Sequence, residues 1–487
     1  MYRFILILAL LVSTVAAPLL LRRDAGMALA GESDDRLVII TAHSSTIRAE
    51  YGEAFARHWT AKTGRRLYID WRMPGGTAEI RRVLDSSYAA AQAIGNQGVG
   101  IDVIFGGAAY EFVNQAAKGR LELLDVFETH PEWFREEVIP EEFTGERFYD
   151  KNRRWVGVCL FQLGICYNSD VIERLGLPMP RRWEDLGDPA YAGHLAFADP
   201  TKSGSVAKAI EMIVQEQMQR AICEMGDNAE AREEGWRRAL NLLQRLAANA
   251  RYFTDSATQV PYDVAQGNAA AGMCIDYYGR SFEEKLRVSL GSSRLRWTAP
   301  EGGGSVNIDP VAILRGAPRP DIAKEFVAFC LSDEGQLLWD LKVGEQGGPR
   351  KVSLRRLPVR RDVYTAENLK RFADASPYGR ENGFVYRREL TASALQAITA
   401  LFRAMCIDPH EELKAAWLAM GEDSGGAAGC VFSDVSQVSY ERLMNEFVPL
   451  FEKKGALALK REMSKVSQGF RENYQRAQAL AGKEGSP

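Results

Sequence analysis

One histidine, a pair of adjacent tyrosines and several Ser/Thr/Gly clusters stand where apolar runs give way to turns, and these residues can do chemistry. Four such segments occur: Thr41-Ala42-His43-Ser44-Ser45, Pro74-Gly75-Gly76-Thr77, Asp199-Pro200-Thr201-Lys202-Ser203-Gly204-Ser205 and Asp276-Tyr277-Tyr278-Gly279-Arg280. Ser, Thr and Gly opening a helix leave backbone N–H groups free, add hydroxyls and present the positive end of the helix dipole, which suits an anion. Ordinary helix caps use the same residues. Ser44, Ser45, Gly75, Gly76, Thr77, Thr201, Ser203, Gly204 and Ser205 gain weight together, because ligands of open α/β sheets bind beyond the carboxyl ends of the strands. Asp276 opens the fourth segment, and Arg280 can pair a phosphate or carboxylate. The alternative reading of His43, Tyr277 and Tyr278 is packing at strand ends.

The elements that must position these segments alternate in type. Leu37 to Ile40 is a short continuous apolar run, as in a strand buried on both faces. Ser44, Ser45 and Thr46 offer caps for a helix with Ile47, Tyr51, Phe55 and Trp59 on one stripe. Leu67, Ile69 and Trp71 alternate with Tyr68 and Asp70, the period of a strand, and Ile101 to Phe105 is a strand stopped by Gly106 and Gly107. A second region repeats the rhythm with an extended run over Val156–Tyr167, a strand at Leu195–Phe197, a helix over 206–217 and strands at Ala271–Ile275 and Val311–Leu314. Residues 321–342 read as one helix, and the chain beyond residue 357 reads as helical throughout. Strand–helix–strand alternation of this kind predicts a helix-covered, largely parallel sheet.

The chain of 487 residues is long enough for two or three folding units. Its formal charge is −3 with both signs intermixed, and no Lys/Arg block offers the footprint that nucleic acid needs. Phe4 to Leu21 is an almost unbroken apolar run between Arg3 and Arg22-Arg23, followed by Ala28-Leu29-Ala30. That order is a signal peptide's, and the run also approaches the length of a membrane anchor. Residues 1–30 are therefore a leader or an anchor, and both place the rest outside the cytoplasm, in the periplasm or its equivalent. Membrane contact is expected through this segment alone. The seven cysteines lack a C-x-x-C pair and so give no zinc pattern. An odd count leaves at least one thiol outside any intrachain disulfide.

From Val38–Phe55, Gly100–Phe105, Asp199-Pro200-Thr201-x-Ser203-Gly204, Gly267–Tyr278 and the stretch Ala323-Lys324-Glu325-Phe326 to Asp333-Glu334-Gly335-Gln336, the chain resembles the family 1 extracellular solute-binding proteins of ABC importers. Leu357-Pro358-Val359-Arg360-Arg361-Asp362 resembles a further signature of that family. Within it the resemblance is to the ferric-iron-binding group. The fold this implies is α/β, a two-lobed periplasmic-binding-protein fold of type II with the ligand between hinge-linked lobes. Lobe 1 comprises residues 36–155 plus about 306–345, lobe 2 residues 156–305, with Val156–Asn168 and Val306–Leu314 as hinges. Residues 346–487 form a mainly helical C-terminal segment, longer than the family norm, packing on the lobes. The resemblance implies His43, Tyr277 and Tyr278 as metal ligands, and Ser203, Gly204 and Ser205 as holders of an accompanying phosphate or carbonate. It departs at the group's glutamate, whose place holds Gly106-Gly107. Hard Fe³⁺ favours anionic oxygen, and two tyrosinates at neutral pH require the metal's own charge.

The functional expectation is a binding component that captures a small solute for an ABC-importer permease, with no catalytic residues and no catalytic cofactor. The ligand is ferric iron with its anion or, alternatively, an organic anion such as a sugar phosphate or phosphonate. A membrane-anchored sensor shares the fold. An enzyme is the weakest class: the sequence has no G-x-S-x-G, H-E-x-x-H or P-loop, leaving only a hydrolase built on His43 with Ser44 or Ser45.

Overall fold

The computed structural model describes residues 33–379, 383–421 and 426–484. The apolar leader and its cleavage site lie outside these residues. Among the described residues no helix is long and apolar enough to cross a membrane.

The strands in chain order are β1 (Asp35–Thr41), β2 (Leu67–Arg72), β3 (Val103–Phe105), β4 (Glu142–Phe143), β5 (Glu146–Arg147), β6 (Val156–Asn168), β7 (Leu195–Ala198), β8 (Ala250–Thr254), β9 (Ala271–Ile275), β10 (Leu295–Thr298), β11 (Val306–Ile313) and β12 (Leu357–Pro358). The main sheet runs β2-β1-β3-β11-β6-β9-β7-β8, with β10 and β12 also paired to β6, and β4-β5 is a separate hairpin. In the first half-sheet β1 is parallel to both β2 and β3, with Asp35 opposite Leu67 and Thr41 opposite Phe105. That central position explains the unbroken apolar run Leu37–Ile40, all of it buried. In the second half-sheet β7 is parallel to β8 and β9.

One long strand joins the halves. β6 pairs antiparallel with β11 from Val156 to Gln162 and with β9 from Leu163 to Tyr167. β11 in turn leads back to β3. The register of β11 breaks between Asp309 and Pro310, because proline has no N–H to give the ladder. These two strands join the two halves of the sheet.

Two stretches differ from what periodicity suggests. Residues 321–342 are two helices, Pro320–Leu331 and Asp333–Leu338. Ser332 breaks them, its hydroxyl accepting from Gly335 N at 3.2 Å. Among the described residues, the chain beyond 357 becomes predominantly helical only from Leu395. The stretch before it carries short pieces such as Asn368–Arg371 and Arg388–Thr391, since Pro358, Pro377, Gly379 and Gly383 interrupt any longer helix. The helices Leu395–Phe402, His410–Met420 and Val448–Glu484 then pack on the lobe 2 helices Gly204–Met225 and Ala229–Ala248. Trp417 Nε1 donates to Asn249 Oδ1 at 2.8 Å, and Gln244 Nε2 donates to the Tyr474 hydroxyl at 3.0 Å. All seven cysteines are unpaired, five of them buried, so the thiols pack as small hydrophobes.

Candidate functional site

His43 follows β1 directly. Thr41 shapes the turn: its hydroxyl donates to Phe105 O at 2.6 Å and accepts from His43 N at 3.0 Å. The imidazole is buried against Phe105, ring centroids 4.5 Å apart, and Trp339, 5.9 Å away. Its Nε2 has no hydrogen-bond partner, and neither does Trp339 Nε1. Burial, then the nearby Arg356 and Arg48 guanidinium groups, hold the imidazole well below its ordinary pKa, so it is neutral. Gly106 lies beneath the ring: a Cβ there would fall 2.2 Å from Nε2, and its φ of 74° favours glycine. A glutamate cannot occupy that position beside this imidazole.

From lobe 2, β9 ends and the helix Asp276–Leu290 begins with Asp276, Tyr277 and Tyr278. Asp276 Oδ1 accepts from Tyr277 N at 2.7 Å, while Oδ2 has no hydrogen-bond partner. Asp276 is buried, which raises its pKa against the opposing pull of Arg280 and Arg356. The rings of Tyr277 and Tyr278 lie 4.1 Å apart. Burial raises both phenols above their ordinary range, so both are neutral.

Between the two lobes stands Arg356, 1% exposed. Its guanidinium pairs with Asp309 at the β11 irregularity and lies over the rings of Tyr277 (4.4 Å) and Phe161 (5.6 Å). Its Nε and Nη1 have no oxygen or nitrogen acceptor, and the Cys159 thiol is the remaining polar group beside the guanidinium. Burial alone would lower its pKa, but the surrounding Cys159, Tyr277 and Asp276 raise it. No sequence motif marks this residue. Leu-Arg-Arg-Leu within residues 354–357 is the sole hint, a charge pair set among apolar neighbours just before β12.

Two of the helix starts singled out in the sequence face one another. Gly76 caps the helix Thr77–Ala93, and Ser203 caps Gly204–Met225 with its hydroxyl accepting from Val206 N at 3.4 Å. A Cβ on Gly204 would sit 2.9 Å from Thr77 Oγ1, and one on Gly76 would sit 3.1 Å from Lys202 O. The lobes therefore touch through these two N-termini, and Gly204 allows the approach. Ser203 and Ser205 hydroxyls lie 3.2 Å apart. Thr201 is held by Asp199, whose Oδ1 accepts from both its N (2.8 Å) and its hydroxyl (2.7 Å).

Four expected residues stand apart. Ser45 and Gly75 are exposed. Arg280 is engaged elsewhere, 3.3 Å from Asp374 and over the Trp297 ring at 4.8 Å, where it lines a separate cavity of about 500 Å³ with Arg355 and Gln162. Ser44 Oγ accepts from Ile47 N as a helix cap, an ordinary structural use rather than a partner for His43. Among the described residues no group of three or more His, Cys, Asp or Glu side chains is arranged to hold a metal ion.

Residues 101–343 match the family model described as bacterial extracellular solute-binding protein. An uncharacterized protein of Haemophilus influenzae is 27% identical over 323 residues, 65% of this chain and 79% of the relative. The phosphoglycerate transport regulatory protein PgtC of Salmonella typhimurium is 24% identical over 191 residues, 39% of this chain and 42% of PgtC. In fold, the chain is similar to the periplasmic binding protein AfuA from Actinobacillus pleuropneumoniae, solved with exogenous fructose-6-phosphate bound. There the TM-score is 0.52 at 20% identity, covering 80% of this chain and all of that one. The chain thus carries a bacterial extracellular solute-binding domain on a periplasmic-binding-protein fold, and its role is that of the substrate-binding component in ABC import.

Proposed function

We propose that this extracellular solute-binding protein takes a small phosphorylated organic anion as its ligand, held between the lobes and passed unchanged to an importer permease. The observation that carries the reading is Arg356, a buried guanidinium with two nitrogens lacking an oxygen or nitrogen acceptor. Such a group stays charged at any pH at which proteins fold, and buried donors are normally satisfied, so its open N–H groups call for an anionic acceptor. The neutral His43 and the helix starts at Thr77 and Gly204 add donors of the same preference. PgtC, named for phosphoglycerate transport, points to the same class of solute.

Ferric iron, with His43, Tyr277 and Tyr278 as ligands and phosphate or carbonate alongside, fits this arrangement less well. A permanent cation lies against Tyr277, and Gly106 leaves no room for a carboxylate beside His43. A thermal-shift screen of the purified protein separates the readings, since a ligand that binds only the folded form raises Tm by mass action. Sugar phosphates or phosphoglycerate should raise Tm, and their unphosphorylated parents should not. A purple-red tyrosinate band with ferric citrate, without stabilisation by any phosphorylated compound, would reverse the assignment.

A further inference from the structure

We propose that residues 384–407 of the C-terminal segment form a clasp across both lobes, in which Arg403 is a positioning residue for the anion-binding loop Asp199–Ser205. Three links make the clasp. In the first, Arg403 Nη1 meets Asp199 Oδ2 at 2.5 Å. Asp199 is 3% exposed, and its backbone O accepts from Lys202 N and Ser203 N at 3.1 and 3.2 Å while its side chain holds Thr201. Arg403 therefore anchors the turn that delivers Ser203 and Gly204 to the lobe interface.

The second link reaches lobe 1. Gln396, two helical turns before Arg403, interacts with the Tyr110 phenol, which burial pushes up to about 12. Tyr110 belongs to the helix Ala109–Ala117, which follows Gly106-Gly107 directly. The third link joins the β4-β5 hairpin to lobe 2. Tyr386 N donates to Thr144 O at 2.8 Å, and its hydroxyl donates to Glu211 Oε1 at 2.7 Å. Gly145 packs so closely that a Cβ would fall 2.0 Å from Tyr386 O. Lys208 stands 3.0 Å from both Glu146 and Glu211, and Ser305 Oγ donates to Glu146 at 2.8 Å.

The links act on one motion. Opening that parts Thr77 from Gly204 carries the 395–407 helix away with lobe 2, and so breaks Gln396–Tyr110 and strains Glu146–Lys208. The clasp biases the lobes toward the touching arrangement before any ligand arrives. If loss of the clasp leaves one molecule in ten in that arrangement, apparent affinity falls about tenfold. Only the effect on affinity rests on the anion reading; the lobe bias does not.

The test uses ligand-free protein first. The triple variant Tyr110→Phe/Gln396→Ala/Glu146→Gln should show a larger radius of gyration by small-angle scattering. Its amides at 77–80 and 204–207 should exchange hydrogen faster than in the wild type. Arg403→Ala should speed exchange at 201–205 while Arg403→Lys retains protection. Titration with fructose 6-phosphate then reads the expected tenfold loss in the triple variant and in Arg403→Ala. Unchanged scattering and exchange in ligand-free variants would overturn the clasp. Absence of binding by wild type would overturn only the anion reading.

Discussion

Among the described residues two of the clusters of buried charge set a cation over a tyrosine ring, and they are completed differently. Lys208 stands 3.6 Å from the Tyr386 ring centroid and is enclosed by Glu146 and Glu211, which themselves receive Ser305, Tyr386 and Thr391 hydroxyls. Burial would lower the Lys208 pKa, but the two carboxylates outweigh it and hold the ammonium above its ordinary range. Arg356 stands 4.4 Å from the Tyr277 ring centroid with Asp309 as its ion pair, yet Nε and Nη1 are open, as are His43 Nε2 and Asp276 Oδ2 around it. In the Lys208 cluster Glu211 Oε2 lacks a hydrogen bond but stands 3.0 Å from the Lys208 ammonium, and a network so nearly saturated fixes a structure. An unsaturated one, gathered where two lobes meet, leaves donors for a solute. On the proposed reading the difference separates a fastening from a binding site where burial and charge alone do not.

The largest effect is expected at the saturated cluster. Lys208→Met leaves two buried carboxylates facing each other and should remove about 3–5 kcal/mol of stability, as for other broken buried pairs. Urea denaturation reads this as a lower midpoint at unchanged slope. The open cluster should behave in the opposite way. Arg356→Met with Asp309→Asn removes both charges, which leaves stability nearly neutral, but costs about 2–5 kcal/mol of ligand affinity. Should that variant prove as unstable as Lys208→Met, the contrast between the clusters is lost. Gly106→Ala, with its Cβ driven into His43 and a positive φ to sustain, should cost about 1–3 kcal/mol and weaken ligand binding along with stability.

The smallest effect is one of pH. His43 is neutral when folded, so below about pH 6.5 the unfolded chain takes up a proton that the folded chain refuses. Stability should fall with acidity through this group by about 1.4 kcal/mol per pH unit, and His43→Gln should remove that component of the slope. Equal slopes in the two proteins between pH 6.5 and 5 would show that the folded imidazole protonates.

The lobed α/β fold was legible because its signals are local: Leu37–Ile40 is unbroken for a central strand, and Ser44 and Ser203 sit at true helix starts. His43, Tyr277 and Tyr278 were legible as strand-end residues. Arg356 was not, because its value comes from Asp309, Tyr277 and His43, each distant in sequence and brought together only by β6 and β11. Arg280 misled for the same reason. It follows the tyrosines in sequence, but its own helix turns it toward Asp374. Arg403 and Gln396 had no motif at all, being ordinary surface-type residues of a helical stripe until tertiary packing sets them beside Asp199 and Tyr110.

Calorimetric titration of wild type and the Arg356→Met/Asp309→Asn variant with a sugar phosphate, and with the same sugar lacking phosphate, tests the central claim most directly. Wild type should bind the phosphorylated compound and ignore its parent, and the folded variant should bind neither. Binding that survives the loss of Arg356, or equal binding of the unphosphorylated sugar, would contradict the assignment of this cleft to an anion.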